Sequence, residues 1–208
     1  MGSTLIMADS GYFKSTSVVE YSWNEGITDW GWLDQFSHSL SKIVTIPSSC
    51  SETKTIACMA SSKVITCHNS ATKSVQTIQL QKSTITCLAA PTEPLHGVTF
   101  GVQRFKSIPI LCTGLKNGQI EIWHGESTKL LTRLISHSGP VLGISFILKP
   151  YSNNLVSISQ DRTAKVWESE ENGFNMSQTI NFPSVILCVA ISVCEKMIAL
   201  GKYCIASD

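Results

Sequence analysis

Residues 136–168 read SHSGPVLGISFILKPYSNNLVSISQDRTAKVWE. Three apolar runs in this stretch are separated by turn-forming residues, a pattern typical of short antiparallel strands. The second run, Leu155–Ser159, alternates apolar and hydroxyl side chains, so its two faces are expected to meet different surroundings. The polar residues Gln160–Arg162 have the length of a hairpin turn between the second and third runs. The stretch therefore predicts a small antiparallel sheet, and Trp167 closes its third strand.

This stretch resembles one WD repeat, the unit that forms a blade of a β-propeller. The family usually ends the repeat with Trp-Asp, and here Glu168 follows the Trp. In that family a loop His, a strand Ser or Thr, a turn Asp and the strand Trp share one set of hydrogen bonds. By match these are His137, Ser159 (or Ser157), Asp161 and Trp167. The resemblance implies a structural role for the set, because its bonds pin the entering loop to the turn between two strands.

A second Trp repeats this spacing. Trp123 follows Asn117 by 6 positions, as Trp167 follows Asp161, and the two Trp residues lie 44 positions apart. A period of about 40–45 residues with a Trp closing an inner strand indicates propeller blades. Asn117 is followed by Gly118, a strong signal for a hairpin turn.

The repeat continues on both sides of these two units. Residues 55–60 and 63–68 read as a hairpin in which Cys67 takes the place of the blade's Trp. Residues 185–191 form a continuous apolar run, as expected for an inner strand that is buried on both faces. We therefore expect an all-β fold, an incomplete WD-repeat β-propeller with about three blades and the start of a fourth, since propellers typically close with four to eight. The chain is expected to be a fragment of a larger propeller or a truncated gene product.

The predicted organisation is a flexible lead-in at residues 1–16 followed by the partial propeller at 17–208. Two segments depart from the repeat rhythm and are predicted insertions, one at 24–54 and one at 90–107. Residues 17–23 give a strand signal rich in β-branched and aromatic residues, and by resemblance to propellers this strand is expected to open the first blade.

Partner contacts are expected on the two insertions, because loops on a rigid scaffold carry recognition. Trp30 and Trp32 are candidate contacts, since Trp anchors interfaces well. The alternative is that the segment around them folds back onto its own blade, because exposed paired Trp is uncommon. Arg104 and Lys106 could contact an anionic partner, and the alternative is that both charges are merely solvated.

Composition excludes several classes of function. Hydrophobic residues make up 43% of the 208 residues, charged residues 15%, and the net charge is +1. Without a basic patch, direct nucleic-acid binding has no electrostatic support, and no apolar run is long enough for a membrane span. The eight cysteines are scattered without a Cys-x-x-Cys motif, so no metal site is predicted. Several lie in apolar strand runs, which favours a reducing compartment, in the cytoplasm or nucleus.

An enzyme is the competing interpretation of His137 and Asp161, since Ser157 and Ser159 are close to them in sequence. A catalytic Ser needs an exposed oxyanion site, which a hydroxyl within a blade strand lacks. The sequence also has no nucleophile elbow, no phosphate-binding glycine loop and no cluster of metal ligands. We therefore predict no catalytic activity, no cofactor and no small-molecule substrate.

Three segments resemble the amino-terminal propeller of the second-subunit family of the Elongator complex. They are residues 21–23, residues 109–114 after the long link, and Ser177–Phe182 running into the strand at 185–191. The resemblance implies a scaffold whose partners are other protein subunits, in a complex that modifies wobble uridines of tRNA through a different subunit. The alternative is another WD-repeat adaptor, for example one that recruits substrates to a ubiquitin ligase or serves trafficking.

Overall fold

Alternating and apolar runs of the sequence form antiparallel strands in a computed structural model of the chain. It describes residues 4–8, 17–22, 26–32, 42–48, 51–69, 72, 74–80, 82–135, 137–149, 152–170, 173–191 and 198–201. Three four-stranded sheets follow one another along this described part, and each is a simple antiparallel meander of the kind found in propeller blades.

The first blade is a meander of four strands, each paired with the next along the chain. These strands are β4 (Lys42–Ser48), β5 (Ser51–Ala60), β6 (Val64–Asn69) and β7 (Ser74–Gln79). They follow a separate three-stranded sheet, whose strands are β1 (Thr4–Ala8), β2 (Ser17–Ser22) and β3 (Gly26–Trp32).

The second blade contains a hairpin between its first and second strands. Its four strands are β8 (Ile85–Ala89), β11 (Ile110–Leu115), β12 (Gln119–His124) and β13 (Leu130–Ile135). The hairpin consists of β9 (Leu95–Phe100) and β10 (Gln103–Ile108), which pair only with each other among the described strands.

The third blade corresponds to the stretch quoted first. Its strands are β14 (Val141–Lys149), β15 (Ser152–Ser159), β16 (Thr163–Glu170) and β17 (Gly173–Asn181). A pair, β18 (Cys188–Ile191) and β19 (Ile198–Gly201), begins the next sheet. The described sheets do not close into a ring, so the fold is an incomplete β-propeller.

The core lies between neighbouring blades rather than inside any one of them. Ile65 and Cys67 of the first blade share a buried cluster with Leu111 of the second blade. Ile120 and Ile122 on the other face of the second blade pack in a cluster with Trp167 of the third blade. The second blade therefore buries its two faces against different neighbours, as the apolar alternation of its strands requires.

Three expectations about the amino-terminal third change in the structure. The segment 24–54 is not only an insertion, because it supplies β4, the first strand of the first blade. Ile46 of β4 is fully buried in the cluster between the first two blades, which explains why this strand belongs to the blade. The strand at 17–22 pairs with β1 and β3 instead of opening the first blade. Within the predicted lead-in, Thr4–Ala8 forms β1, and the other residues of 1–16 lie outside the described part.

Candidate functional site

Four side chains of the third blade form a continuous hydrogen-bonded chain, which we call the brace: Asp161, His137, Ser157 and Trp167. Asp161 Oδ2 lies 2.9 Å from His137 Nδ1, and His137 Nε2 lies 2.8 Å from Ser157 Oγ. The indole Nε1–H of Trp167 donates to the same Ser157 oxygen at 2.9 Å. The brace thus connects the loop before β14, the turn after β15 and the middle of β16.

The hydroxyl at the centre of the brace is that of Ser157, the alternative to Ser159 in the set implied by the WD-repeat resemblance. Ser159 Oγ instead donates to the Gly139 carbonyl at 2.9 Å and accepts from the backbone N–H of Asp161 at 3.1 Å. Both serines project from the same face of β15, since they are two residues apart. Ser157 lies farther from the turn, where the indole of Trp167 reaches it.

Asp161 is held by several donors at once. Its carboxylate accepts the backbone N–H groups of Ser138 and Thr163 at 3.0 and 2.9 Å and the Thr163 hydroxyl at 2.7 Å. Burial would raise the pKa of this carboxyl, but the hydrogen bonds from Thr163, His137 and Ser138 outweigh it and lower the pKa to about 2. Asp161 is therefore ionised at neutral pH and accepts every bond offered to it.

The charge on Asp161 determines the tautomer of His137. An ionised carboxylate can only accept, so His137 Nδ1 carries the proton toward Asp161. His137 Nε2 is then a bare acceptor for the Ser157 hydroxyl, and the Ser157 oxygen remains available to the Trp167 indole. Burial lowers the pKa of His137, partly opposed by Asp161 and reinforced by Lys165, which keeps the imidazole neutral. Each donor in the brace therefore has an acceptor, and the Nδ1–H group can also be shared with Thr163 Oγ1 at 3.1 Å.

The order carboxylate, imidazole, hydroxyl matches that of a hydrolase triad. Ser157 is nonetheless 0% exposed, and its Oγ is already engaged by both His137 and Trp167. A nucleophile must reach a substrate carbonyl and an oxyanion site, which a hydroxyl enclosed within a blade cannot do. The chemistry of this arrangement is therefore that of a structural clamp.

The brace makes stability depend on pH. The pKa values of His137 and Asp161 are both lower in the folded chain than the ordinary 6.5 and 3.8. The unfolded chain then binds more protons in these ranges, so the free energy of unfolding falls as pH drops below about 6.5 and again between about 4 and 2. In urea unfolding at pH 7.5 and pH 5.0, we expect wild type to lose more stability over this interval than His137→Asn. Equal losses in the two proteins would show that His137 is not buried neutral in the folded state.

The second blade carries part of the same arrangement. The indole Nε1–H of Trp123 donates to Thr113 Oγ1 at 3.2 Å, across the same pair of strands as Trp167 and Ser157. At the turn, Asn117 Oδ1 accepts the backbone N–H of Gln119 at 3.2 Å. The Trp–hydroxyl bond therefore recurs in two consecutive blades, as the spacing of the two Trp residues predicts.

In the first blade, His68 occupies the register position of the Trp, not Cys67 as predicted. Ala60 pairs with Ile65 as Gly114 pairs with Ile120 and as Ile158 pairs with Ala164. Counting three residues onward from the second member of each pair reaches His68, Trp123 and Trp167. Cys67 therefore corresponds to Ile122, and both side chains are buried between blades.

The hairpin of β9 and β10, which accounts for most of the predicted insertion 90–107, is anchored on one face. Val98 and Phe100 are buried in the cluster between the second and third blades. The Phe100 ring lies 6.3 Å from the rings of both Phe105 and Phe174, and the Asn153 side chain donates to the His96 carbonyl at 3.0 Å. This segment is thus an ordered strand pair packed on two blades, not an extended loop.

Arg104 and Lys106 lie on the other face of this hairpin, and both are exposed. Gly101 and Val102 form its two-residue loop, and Gly101 has φ +62°, as the first central residue of a type II′ turn requires. Phe100–Gln103 is then a hydrogen-bonded pair, so the backbone N–H and C=O groups of Arg104 and Lys106 point away from β9. In the described part of the chain neither cation takes part in an ion pair.

Trp30 and Trp32, the other candidate contacts, lie in β3, and their side chains are outside the described part. Among the described residues no group of His, Cys, Asp and Glu could hold a metal ion. No helix in the same residues has the length and apolar character needed to cross a membrane.

No family model matches the chain. Over 103 residues it is 35% identical to "WD repeat and SOCS box-containing protein 1" of Xenopus tropicalis, an alignment that covers 50% of this chain and 23% of that protein. Over 85 residues it is 39% identical to the Homo sapiens protein of the same name, covering 41% of this chain and 19% of that protein. The chain thus spans about a fifth of the length of these curated relatives. Among solved structures, the crystal structure of RRP9 WD40 repeats matches with a TM-score of 0.54 at 19% identity, covering 74% of this chain and 42% of that chain.

Proposed function

We propose that this chain, which belongs with the WD-repeat proteins, is a non-catalytic adaptor that holds protein partners on the rims of its blades. The observation that carries the proposal is the hairpin of β9 and β10, which is rigidly packed on one face and cationic on the other. Binding surfaces built on rigid elements lose little conformational entropy when a partner docks. The enclosed Ser157 and the clamp around it argue against an enzyme.

The partner chemistry that fits this hairpin is an extended acidic segment of another protein. The outward backbone groups of Arg104 and Lys106 can pair with one more strand, the mode known as β-augmentation. Residues 95–108 contain these two cations and no Asp or Glu, so the edge is complementary to acidic side chains on the incoming strand. Charged side chains on an edge strand also discourage aggregation, and this is the competing role to be tested.

Charge reversal of the hairpin tests the adaptor role. We expect Arg104→Glu together with Lys106→Glu to weaken capture of the main protein partner about tenfold or more, because like charges facing each other cost several kcal/mol. The charge-matched control is Lys82→Glu with Lys116→Glu, two exposed lysines on the turns of other strands. Capture would be measured by quantitative mass spectrometry after affinity purification. Equal capture by both double variants would contradict binding through the hairpin, and recovery of no protein partner by the wild-type chain would contradict the adaptor role.

Substrate recruitment to a ubiquitin ligase is the adaptor function we favour. Its support is the name of the similar relatives, which pairs WD repeats with a SOCS box. The prediction is that the captured proteins include ubiquitin-ligase subunits, and that partners captured through the hairpin become ubiquitinated in a reconstituted reaction. Capture of partners without any ligase subunit would contradict this assignment.

An Elongator scaffold is the second candidate, and it is supported by the three segments of sequence at 21–23, 109–114 and 177–182. The same purification separates the two candidates. An Elongator scaffold should bring down the catalytic subunit with radical-SAM and acetyltransferase-like domains, in place of ubiquitin-ligase subunits.

A further inference from the structure

Two buried thiols face each other across the middle strands of the first blade. β5 and β6 pair Cys58 directly opposite Cys67, and the two Sγ atoms lie 2.8 Å apart. Cys58 is 0% and Cys67 is 3% exposed, so both sulfurs are enclosed in the cluster between the first two blades.

The position of this pair in the ladder suits a covalent bond. The Ser61 N–H donates to the Val64 carbonyl at 2.9 Å, which makes these two residues the hydrogen-bonded pair that closes the hairpin. Hydrogen-bonded and non-hydrogen-bonded pairs alternate in an antiparallel ladder, so Cys58–Cys67 is a non-hydrogen-bonded pair. The Cα atoms of such pairs lie about 4.5 Å apart, which is within the range of about 4.4–6.8 Å that a disulfide accepts.

The second blade offers a built-in comparison. Cys87 and Cys112 are also buried on neighbouring strands, but Cys87 pairs with Gly114 and Cys112 pairs with Ala89. These two thiols are therefore diagonal to each other rather than opposite, where cross-strand distances are about 7–8 Å and too long for a disulfide. Cys188 in β18 is exposed and serves as the accessible thiol of the same chain.

We propose that Cys58 and Cys67 form an intramolecular disulfide when the chain is oxidised, and that this bond staples the first blade. Each thiol gives up one proton and one electron as the S–S bond forms. An azo-dicarboxamide oxidant such as diamide takes up both electrons and both protons and becomes the corresponding hydrazine. The same two thiols are restored by a dithiol reductant through thiol–disulfide exchange.

A disulfide would stabilise this blade in particular, because the first blade lacks the Trp and Ser residues that form the brace in the third blade. The positions that correspond to Trp167 and Ser157 hold His68 and Met59 in the first blade. The inner hairpin therefore depends on packing and ladder bonds, and a covalent link would restrict its opening.

The burial of the pair also predicts when it reacts. The hydrogen bond with Cys67 and burial both raise the pKa of the Cys58 thiol, so the reactive thiolate is rare in the folded blade. Oxidation should then be slow in the native chain and at least tenfold faster in a urea concentration just below the unfolding midpoint, where the blade opens transiently.

The test treats the 208-residue chain with diamide at zero and sub-denaturing urea, then blocks free thiols by alkylation and maps cross-links by mass spectrometry. The expected product is a Cys58–Cys67 link with the loss of two hydrogen masses and an upward shift of the urea midpoint that a dithiol reverses. Cys87→Ser with Cys112→Ser should leave this product unchanged, and Cys58→Ser should abolish both link and shift.

Two outcomes would overturn the proposal. One is a map in which Cys58 and Cys67 are both alkylated while other thiols are cross-linked. The other is a Cys58–Cys67 link that forms as fast in full denaturant as in sub-denaturing urea and that lowers the unfolding midpoint. Such a bond would not fit the folded blade. Because the mapping uses the unmodified chain, both outcomes are readable even if a Ser variant fails to fold.

Discussion

Asp161→Ala is expected to lower the free energy of unfolding by about 3 kcal/mol. The substitution removes the carboxylate that accepts from His137 Nδ1 and from the backbone N–H groups of Ser138 and Thr163. His137 Nδ1 then retains only Thr163 Oγ1, at 3.1 Å, among the acceptors in the described part of the folded blade. Each buried partner left without an acceptor costs roughly 1–3 kcal/mol, and some of these donors will find water near the turn. Urea unfolding at pH 7.5, followed by far-UV circular dichroism, measures the change.

Two control variants distinguish the loss of the Asp161 carboxylate from the effect of removing any carboxylate of this blade. Asp161→Asn keeps one acceptor oxygen and should cost about half as much as Asp161→Ala. Glu168→Ala changes an exposed carboxylate in the same blade and should stay within about 0.5 kcal/mol of wild type. If Asp161→Ala is as mild as Glu168→Ala, the brace contributes nothing to the stability of the blade.

Trp167→Ala is expected to cost still more, about 3–5 kcal/mol. The Trp167 side chain is 4% exposed and packs in the cluster between the second and third blades, so its removal leaves a cavity between two sheets. It also leaves the Ser157 hydroxyl without the indole donor. The same urea experiment measures this loss.

Trp167→Phe is the matched control, because it keeps an aromatic ring in the cluster and removes only the N–H and part of the volume. We expect it to cost about 1–2 kcal/mol, so the difference from Trp167→Ala reports packing rather than hydrogen bonding. A loss below about 1 kcal/mol for Trp167→Ala would mean that the two blades do not pack through this residue.

The third blade was predictable from sequence because its signals agree. The turn at residues 160–162 and the alternation of Leu155–Ser159 both mark strands, and the WD-repeat resemblance adds His137 and Trp167. The choice between Ser157 and Ser159 was not predictable, since residues two apart share a face and alternation cannot separate them. The register of β15 against β16 places the indole N–H of Trp167 within reach of Ser157, which is why Ser157 is the member of the brace.

The first blade misled the sequence analysis for two physical reasons. The second strand of its inner hairpin, β6, begins at Val64, one residue later than the sequence suggests, so the position equivalent to the Trp is His68 and not Cys67. Its first strand, β4, ends with Pro47-Ser48, and a Pro within a short run weakens a strand signal. Burial of Ile46 against the second blade outweighs that local preference.

The hairpin of β9 and β10 was not predicted because its glycines are typical of loops and its apolar residues are mixed with polar ones. Gly97 and Gly101 read as loop residues, yet Gly101 serves the tight turn between two strands. The inward-facing Val98, Phe100 and Phe105 alternate with Thr99, Arg104 and Lys106 on the outer face. Only packing on the third blade reveals that the segment is ordered.

The tautomer of His137 at neutral pH tests the brace most directly. Long-range ¹H–¹⁵N spectroscopy of histidine-labelled protein at pH 7.0 would distinguish the two ring nitrogens, with the exposed His96 as a reference within the same spectrum. We expect a neutral ring protonated at Nδ1, with Nε2 unprotonated, and a titration midpoint below the ordinary value of 6.5. A ring protonated at Nε2, or a titration midpoint at or above 6.5, would contradict the brace.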